Sequence, residues 1–235
     1  MMDLVNTPLP IASYPLPVYQ VDFAHQQALR LALHRDHPDL DLPKYLLAPE
    51  ICQLADLATL NEHQRVLLLM LFNTGARINE LLAVTPNDVF PVGERTVVKL
   101  KTLKQQNRAT YGRPPKGYTR LVPLYDQQFS VQLKRYIVTH CRNQKCPIFS
   151  ISDETARNWL KAIQQEGTAN GIDLLIPLTP STLRHSFAVH LLLNRMHIKE
   201  LQSLMGHARL SSTEVYTRLL SFDPAQTQRE VRFLV

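Results

Sequence analysis

From Pro49 onward, apolar residues recur at helical spacing, and the breaks between helices carry cap and stop residues. Pro49 suits a first helical turn, where its missing N–H costs little, and a helix is expected over Glu50–Leu60. A second spans Asn61–Asn73 and ends at Gly75; its Val66–Phe72 run is too apolar for a surface and reads as core. Ala76–Val84 forms a third, closed by Thr85-Pro86. The pattern then changes. Thr96–Lys101 and Thr119–Pro123 are short, partly β-branched runs joined by a stretch with Gly and Pro, as expected for a hairpin with a long connection. Helices resume over Gln127–Cys141, from a Ser152 cap towards Gly167, from a Thr179 cap with Pro180 in the first turn, and over Ile198–Met205 up to Gly206. Ser211 and Glu214 make a capping-box pattern for a last helix, which carries Tyr216. The class expected is mainly α with a small antiparallel β-sheet.

The first 44 residues differ. Pro8, Pro10, Pro15 and Pro17 favour extended chain, Val21–His34 suits one helix, and His37-Pro38 and Leu42-Pro43 break the pattern again. Residues 1–44 are expected to be an arm or linker with a short helix, 45–221 the main domain, and 222–235 a tail. The apolar end Val231-Arg232-Phe233-Leu234-Val235 suits docking on a neighbouring subunit or packing on its own.

Charge sharpens this picture. The 235 residues carry 26 Lys/Arg and 20 Asp/Glu, a net +6. Eight of those cations, Arg95, Lys99, Lys101, Lys104, Arg108, Arg113, Lys116 and Arg120, fall in one stretch without a single acid. The remainder has 18 against 20, or −2, so the basic excess belongs to the hairpin. Such a segment suits a phosphate backbone, although a solvated loop would have the same composition. Cys52, Cys141 and Cys146 are an odd set without a secretory signal, which points to a reducing, cytoplasmic setting. His140, Cys141 and Cys146 lack a second ligand pair at zinc-site spacing, so no metal is expected. No apolar run approaches the ~20 residues that span a bilayer.

Candidate chemistry lies in four blocks. Thr74-Gly75-Ala76-Arg77-Ile78-Asn79-Glu80-Leu81 comes before the basic hairpin. Leu183-Arg184-His185-Ser186-Phe187-Ala188-Val189-His190, Leu204-Met205-Gly206-His207 and Ser212-Thr213-Glu214-Val215-Tyr216-Thr217 follow it. Two arginines, a histidine and a tyrosine can together handle one phosphate. Guanidinium groups bind phosphate oxygens in bidentate fashion. A phenol can attack phosphorus once its proton, with an ordinary pKa of about 10, is removed. Singly, each feature has a plainer explanation: Arg77 and Glu80 as a surface i,i+3 pair, His207 as a helix-end cation, Tyr216 as a core aromatic.

In that order, and over roughly Leu46–Ser221, the blocks resemble the catalytic domain of tyrosine recombinases, the phage integrase family. The run from Leu201 to Thr217 is similar to plasmid-encoded resolvases that reduce plasmid multimers to monomers. The resemblance implies that Arg77 and Arg184 clamp the scissile phosphate, with Glu80 helping to orient Arg77 or its surroundings. It implies that His207 donates to a non-bridging oxygen and that Tyr216 becomes the 3′-phosphotyrosyl link. A hairpin lysine would protonate the leaving 5′-oxygen; Lys104 fits one form of the family's block and Lys101 another, with Lys104 preferred. Lys99, Arg108, Arg113, Lys116 and Arg120 would contact DNA.

The implied partner is double-stranded DNA with inverted half-sites, bound by a homotetramer at synapsis and compatible with accessory DNA-bending proteins. No cofactor or membrane is implied. Two departures stand out. Ser181 occupies the position where the family usually has a histidine, and serine is no base near neutral pH. Arg77 also comes too early for a complete core-binding domain before it. A binding-only regulator with weakened catalysis, or a type IB topoisomerase or telomere resolvase, are the alternatives. His185 and His190 are expected to serve packing or helix hydrogen bonding.

Overall fold

The computed structural model describes residues 21–36, 42–101 and 119–221. Within them are nine α-helices and a three-stranded sheet. The arm helix α1 (Phe23–Asp36) starts two residues later than the apolar pattern suggests, because Asp22 accepts the backbone N–H of His25. It lies against the body. Buried Arg30 donates to both carboxylate oxygens of Glu50, at 2.5 and 2.9 Å, and to the carbonyl of Tyr45 at 2.9 Å. Phe23 stacks on His190.

α2 (Ala48–Ala55) stops well short of Leu60. Arg65, from the next helix, donates to the carbonyls of Ala55 (2.6 Å) and Leu57 (2.9 Å), so a distant cation satisfies the freed end of α2. α3 (Glu62–Thr74) is capped by Asn61 and runs through the centre, where Val66, Leu67, Leu68, Met70, Leu71 and Phe72 are all buried. It ends at Gly75, in the left-handed conformation at φ +56°. A β-carbon there would stand 2.3 Å from Phe187 Cδ1, so both backbone and packing demand glycine. α4 (Ile78–Leu82) is shorter than expected because Arg77 is its N-cap residue; the Glu80 carboxylate accepts the Arg77 N–H at 3.1 Å.

The sheet holds a strand that the sequence pattern does not suggest. β1 (Val89–Val92) pairs antiparallel with β2 (Arg95–Lys101), Val92 opposite Arg95, through a tight turn with Gly93 at φ +58°. Pro91 lacks an N–H to donate, and β1 tolerates it because it is an edge strand. β3 (Thr119–Pro123) lies on the other side of β2, with Val98 opposite Val122 and Leu100 opposite Arg120.

α5 (Gln127–His140), α6 (Asp153–Ala169), α7 (Pro180–Leu193), α8 (Ile198–Met205) and α9 (Ser211–Ser221) occupy the places expected of them, with side-chain caps from Asp126, Ser152 and Thr179 on the first three. α7 packs most extensively on α3 and also meets α8 and α9, so the three helices that carry the later blocks share one face of the core. None of the described helices is long and apolar enough to cross a membrane, and no described cluster of His, Cys, Asp or Glu could hold a metal ion. Lys104, Arg108, Arg113, Lys116 and the tail 222–235 lie outside the described residues.

Candidate active site

Four chain breaks converge here: the α3–α4 junction, the first turns of α7, the end of α8 and the first turns of α9. Arg184, on α7, is the buried centre, with 8% of its surface exposed. Its guanidinium donates to the carbonyl of Gly75, just past α3, and to that of Met205 at the end of α8 (2.7 Å). Two helix C-termini, each with partial negative charge, thus hold one cation. Burial, then the charges of Arg77 and Arg120, lower the pKa of Arg184 to about 10, so it stays charged at neutral pH.

Arg77 is the accessible guanidinium, with a side chain 48% exposed. Its Nη1 donates to Glu80 Oε1 at 2.9 Å. Glu80 in turn accepts from Arg120 Nη2 at 2.6 Å, and both of these side chains are 2% exposed. Burial alone would raise the Glu80 carboxyl, but the hydrogen bond and charge of Arg120, followed by Arg77, bring its pKa below the ordinary value. Arg120 Nε also donates to the carbonyl of Leu204 at 2.8 Å. One arginine therefore ties β3 to the Arg77–Glu80 unit and to the end of α8.

Arg120 corrects the sequence reading, which placed it on the DNA-facing surface of the hairpin. It points inward because strand positions alternate: Thr119 and Leu121 are exposed, Arg120 and Val122 buried. Period-two alternation with Val122 was the signal available. Lys99 and Lys101 lie on β2, the first half-buried and the second exposed, with Lys101 Nζ 3.6 Å from Asp88 Oδ1.

Gly206 closes α8 at φ +63°, and a β-carbon there would come 3.2 Å from Arg120 Cδ. This turn delivers His207, whose Nδ1 lies 2.9 Å from Thr213 Oγ1. Burial first, then Arg184, Arg77 and Arg120, push its pKa down to about 4. His207 is thus a neutral imidazole at physiological pH, with hydrogen on one ring nitrogen and a lone pair on the other.

Tyr216 is buried, 2% exposed, in the first turns of α9. Its hydroxyl is 2.8 Å from His185 Nδ1, and Ser181 Oγ is 3.3 Å from His185 Nε2. Burial raises the phenol's pKa and the charge of Arg184 opposes that rise. The sequence assigns His185 to packing or helix hydrogen bonding; in the structure it meets the Tyr216 hydroxyl. Its signal was positional: it follows Arg184 directly and stands one helical turn after Ser181, on the same face of α7. His190 does pack, against Phe23 and Phe72.

Residues 46–221 match the phage integrase family. The chain belongs to that family. Among its relatives is a resolvase of Escherichia coli K12, 39% identical over 231 residues, which cover 91% of this chain and 84% of that one. Another is a probable site-specific recombinase in the afa region of Escherichia coli, 37% identical and covering 97% and 89%. The fold matches a crystal structure of XerA recombinase with a TM-score of 0.63 at 21% identity, over 92% of this chain and 78% of that one. As a phage integrase family member the chain has the tyrosine recombinase catalytic fold, a mainly helical body with a small antiparallel sheet.

Proposed function

We propose that this protein is a site-specific DNA recombinase that cuts and rejoins strands through a 3′-phosphotyrosyl bond at Tyr216. One observation carries the assignment of roles: Arg77, Arg184, His207 and Tyr216, dispersed over 140 positions, meet around one electropositive centre in a phage integrase fold. The two arginines grip the non-bridging oxygens of the scissile phosphate, and the neutral His207 adds a donor. Preorganised donors of this kind each contribute on the order of 10²–10³ in rate. Tyr216 attacks phosphorus, the P–O5′ bond breaks, and a hairpin lysine, Lys104 or Lys101, protonates the departing oxygen. Each transesterification makes one phosphoester for the one it breaks, so the chemistry requires no cofactor.

Double-stranded DNA is the partner. Strand exchange between two duplexes, each with inverted half-sites, calls for four active sites and hence a homotetramer at synapsis, with accessory bending proteins where the sites need them. Reduction of plasmid multimers to monomers is the outcome favoured by the kinship with resolvases. Covalent trapping on nicked suicide duplexes tests the chemistry. The unaltered chain is expected to form a protein–DNA adduct, and Tyr216→Phe to form none while binding the same duplex. Adduct formation by Tyr216→Phe would remove Tyr216 from the role; binding without an adduct in the unaltered chain would mark a binding-only regulator.

A further inference from the structure

The recombinase reading leaves one step without an agent. Tyr216 must lose its proton, yet Ser181 stands where the family usually has a histidine. We propose that His185 is the base: a proton acceptor displaced by one turn of α7, with Ser181 setting its tautomer. This inference rests on the strand-cleavage reading of Tyr216.

The geometry assigns each hydrogen. Tyr216 Oη lies 2.8 Å from His185 Nδ1, within the range required of a base and its target. Ser181 Oγ lies 3.3 Å from Nε2. In a neutral imidazole one nitrogen carries hydrogen and the other accepts, and the partner of one fixes the other. With Nε2–H donating to Ser181 Oγ, Nδ1 is free to accept from Tyr216. Ser181 and His185 also line an open cleft of about 360 Å³ with Pro43, Lys44, Pro177 and Thr179. Ser181 is exposed there, which gives the far side of the imidazole a route to water.

The step balances. The Oη–H bond breaks and its proton passes to Nδ1. The phenolate oxygen forms the new bond to phosphorus, P–O5′ breaks, and the 5′-oxygen takes a proton from the hairpin lysine. On rejoining, the 5′-hydroxyl gives its proton back to the neutral hairpin lysine as it attacks phosphorus, the P–Oη bond breaks, and the imidazolium returns its proton to Tyr216 Oη.

The charged and titratable groups around His185 are Arg184 on its own helix, Tyr216 on α9, His207 beyond α8, and Lys44, which lines the same cleft. Burial and the charge of Arg184 lower its pKa, so it waits in the neutral, accepting form. A scissile phosphate held by Arg77 and Arg184 offsets that positive charge, so His185 becomes more basic as substrate arrives.

The test is single-turnover adduct formation by the full chain on a nicked suicide duplex. His185→Gln retains a polar side chain but cannot accept a proton at neutral pH. It is expected to slow the adduct by about 10²–10⁴-fold with DNA binding preserved, and its rate to climb with pH as hydroxide replaces the base. A duplex with a 5′-bridging phosphorothiolate, whose leaving thiolate needs no proton, is expected not to rescue it. His185→Asn provides a second polar replacement should glutamine disturb α7. Rates for both variants within about threefold of the unaltered chain, or rescue by the phosphorothiolate, would overturn the assignment while Tyr216 chemistry stands. Absence of any Tyr216-dependent adduct from the unaltered chain would overturn the cleavage reading and this inference with it.

Discussion

Arg120 and Glu80 show how a charged side chain can matter without meeting substrate. Their salt bridge is buried on both sides, and the same guanidinium holds the Leu204 carbonyl. Arg120→Leu leaves the Glu80 carboxylate buried with only Arg77 for a cationic partner. Loss of one partner of a buried pair costs about 3–5 kcal/mol, so the unfolding free energy from urea titration is expected to fall by that amount, seen as a lower midpoint at unchanged slope. A variant as stable as the parent would mean that water or Arg77 takes over. His207 carries a second prediction. Unfolded, it takes a proton near 6.5; folded, only near pH 4. Protonation therefore favours the unfolded chain, and stability present above pH 6.5 declines as pH falls from about 6.5 towards about 4. His185 and His190 titrate in the same sense. His207→Gln should therefore flatten the decline of melting temperature between pH 7 and pH 5 without abolishing it. An unchanged slope would show that His207 protonates as freely in the fold as outside it.

At the scale of elements, the α3–α4 junction decides where Arg77 starts and what Arg184 holds. Gly75 allows it through its positive φ and through the face of Phe187. Gly75→Ala is expected to cost about 1–3 kcal/mol from left-handed backbone strain and a further ~1–3 kcal/mol from the clash. Because the Gly75 carbonyl accepts from Arg184, adduct formation should fall beyond what the lost folded fraction explains. Activity per folded molecule equal to the parent would separate the junction from the site. The helix that carries Arg184 was legible because its cap is local, Thr179 with Pro180; α9 forms where the Ser211–Glu214 pattern points, but Ser211 is its first helical residue and the Glu214 N–H donates to the Leu210 carbonyl. The end of α2 was not, because Arg65 caps it from another helix. Strand β1 was not read from the sequence: it is only four residues long and contains Pro91, which is tolerated because β1 lies at a sheet edge. In the site, the residues read from the family blocks come together, whereas Arg120 and His185 acquire their places only from strand alternation and from the approach of α9 to α7.

For the whole molecule, the distribution of charge predicts how DNA is held. Outside Arg95–Arg120 the chain is slightly acidic, so affinity for a polyanion must come largely from that hairpin and from the guanidinium cluster beside it. Arg120 is withdrawn into the core, while Arg95 and Lys101 are exposed on β2. Each phosphate contact releases counterions, so log affinity should fall linearly with log salt, at about −0.9 per contacted phosphate. Replacing Arg108, Arg113 and Lys116 together by alanine is expected to reduce that slope by about three units, roughly one per cation, and to weaken cognate and unrelated duplexes alike. A Kd titration from low to physiological salt reads both effects. Should the slope stay unchanged while affinity for the cognate site alone drops, these cations read bases rather than backbone, and the grip on phosphate must be sought in the residues around Arg77.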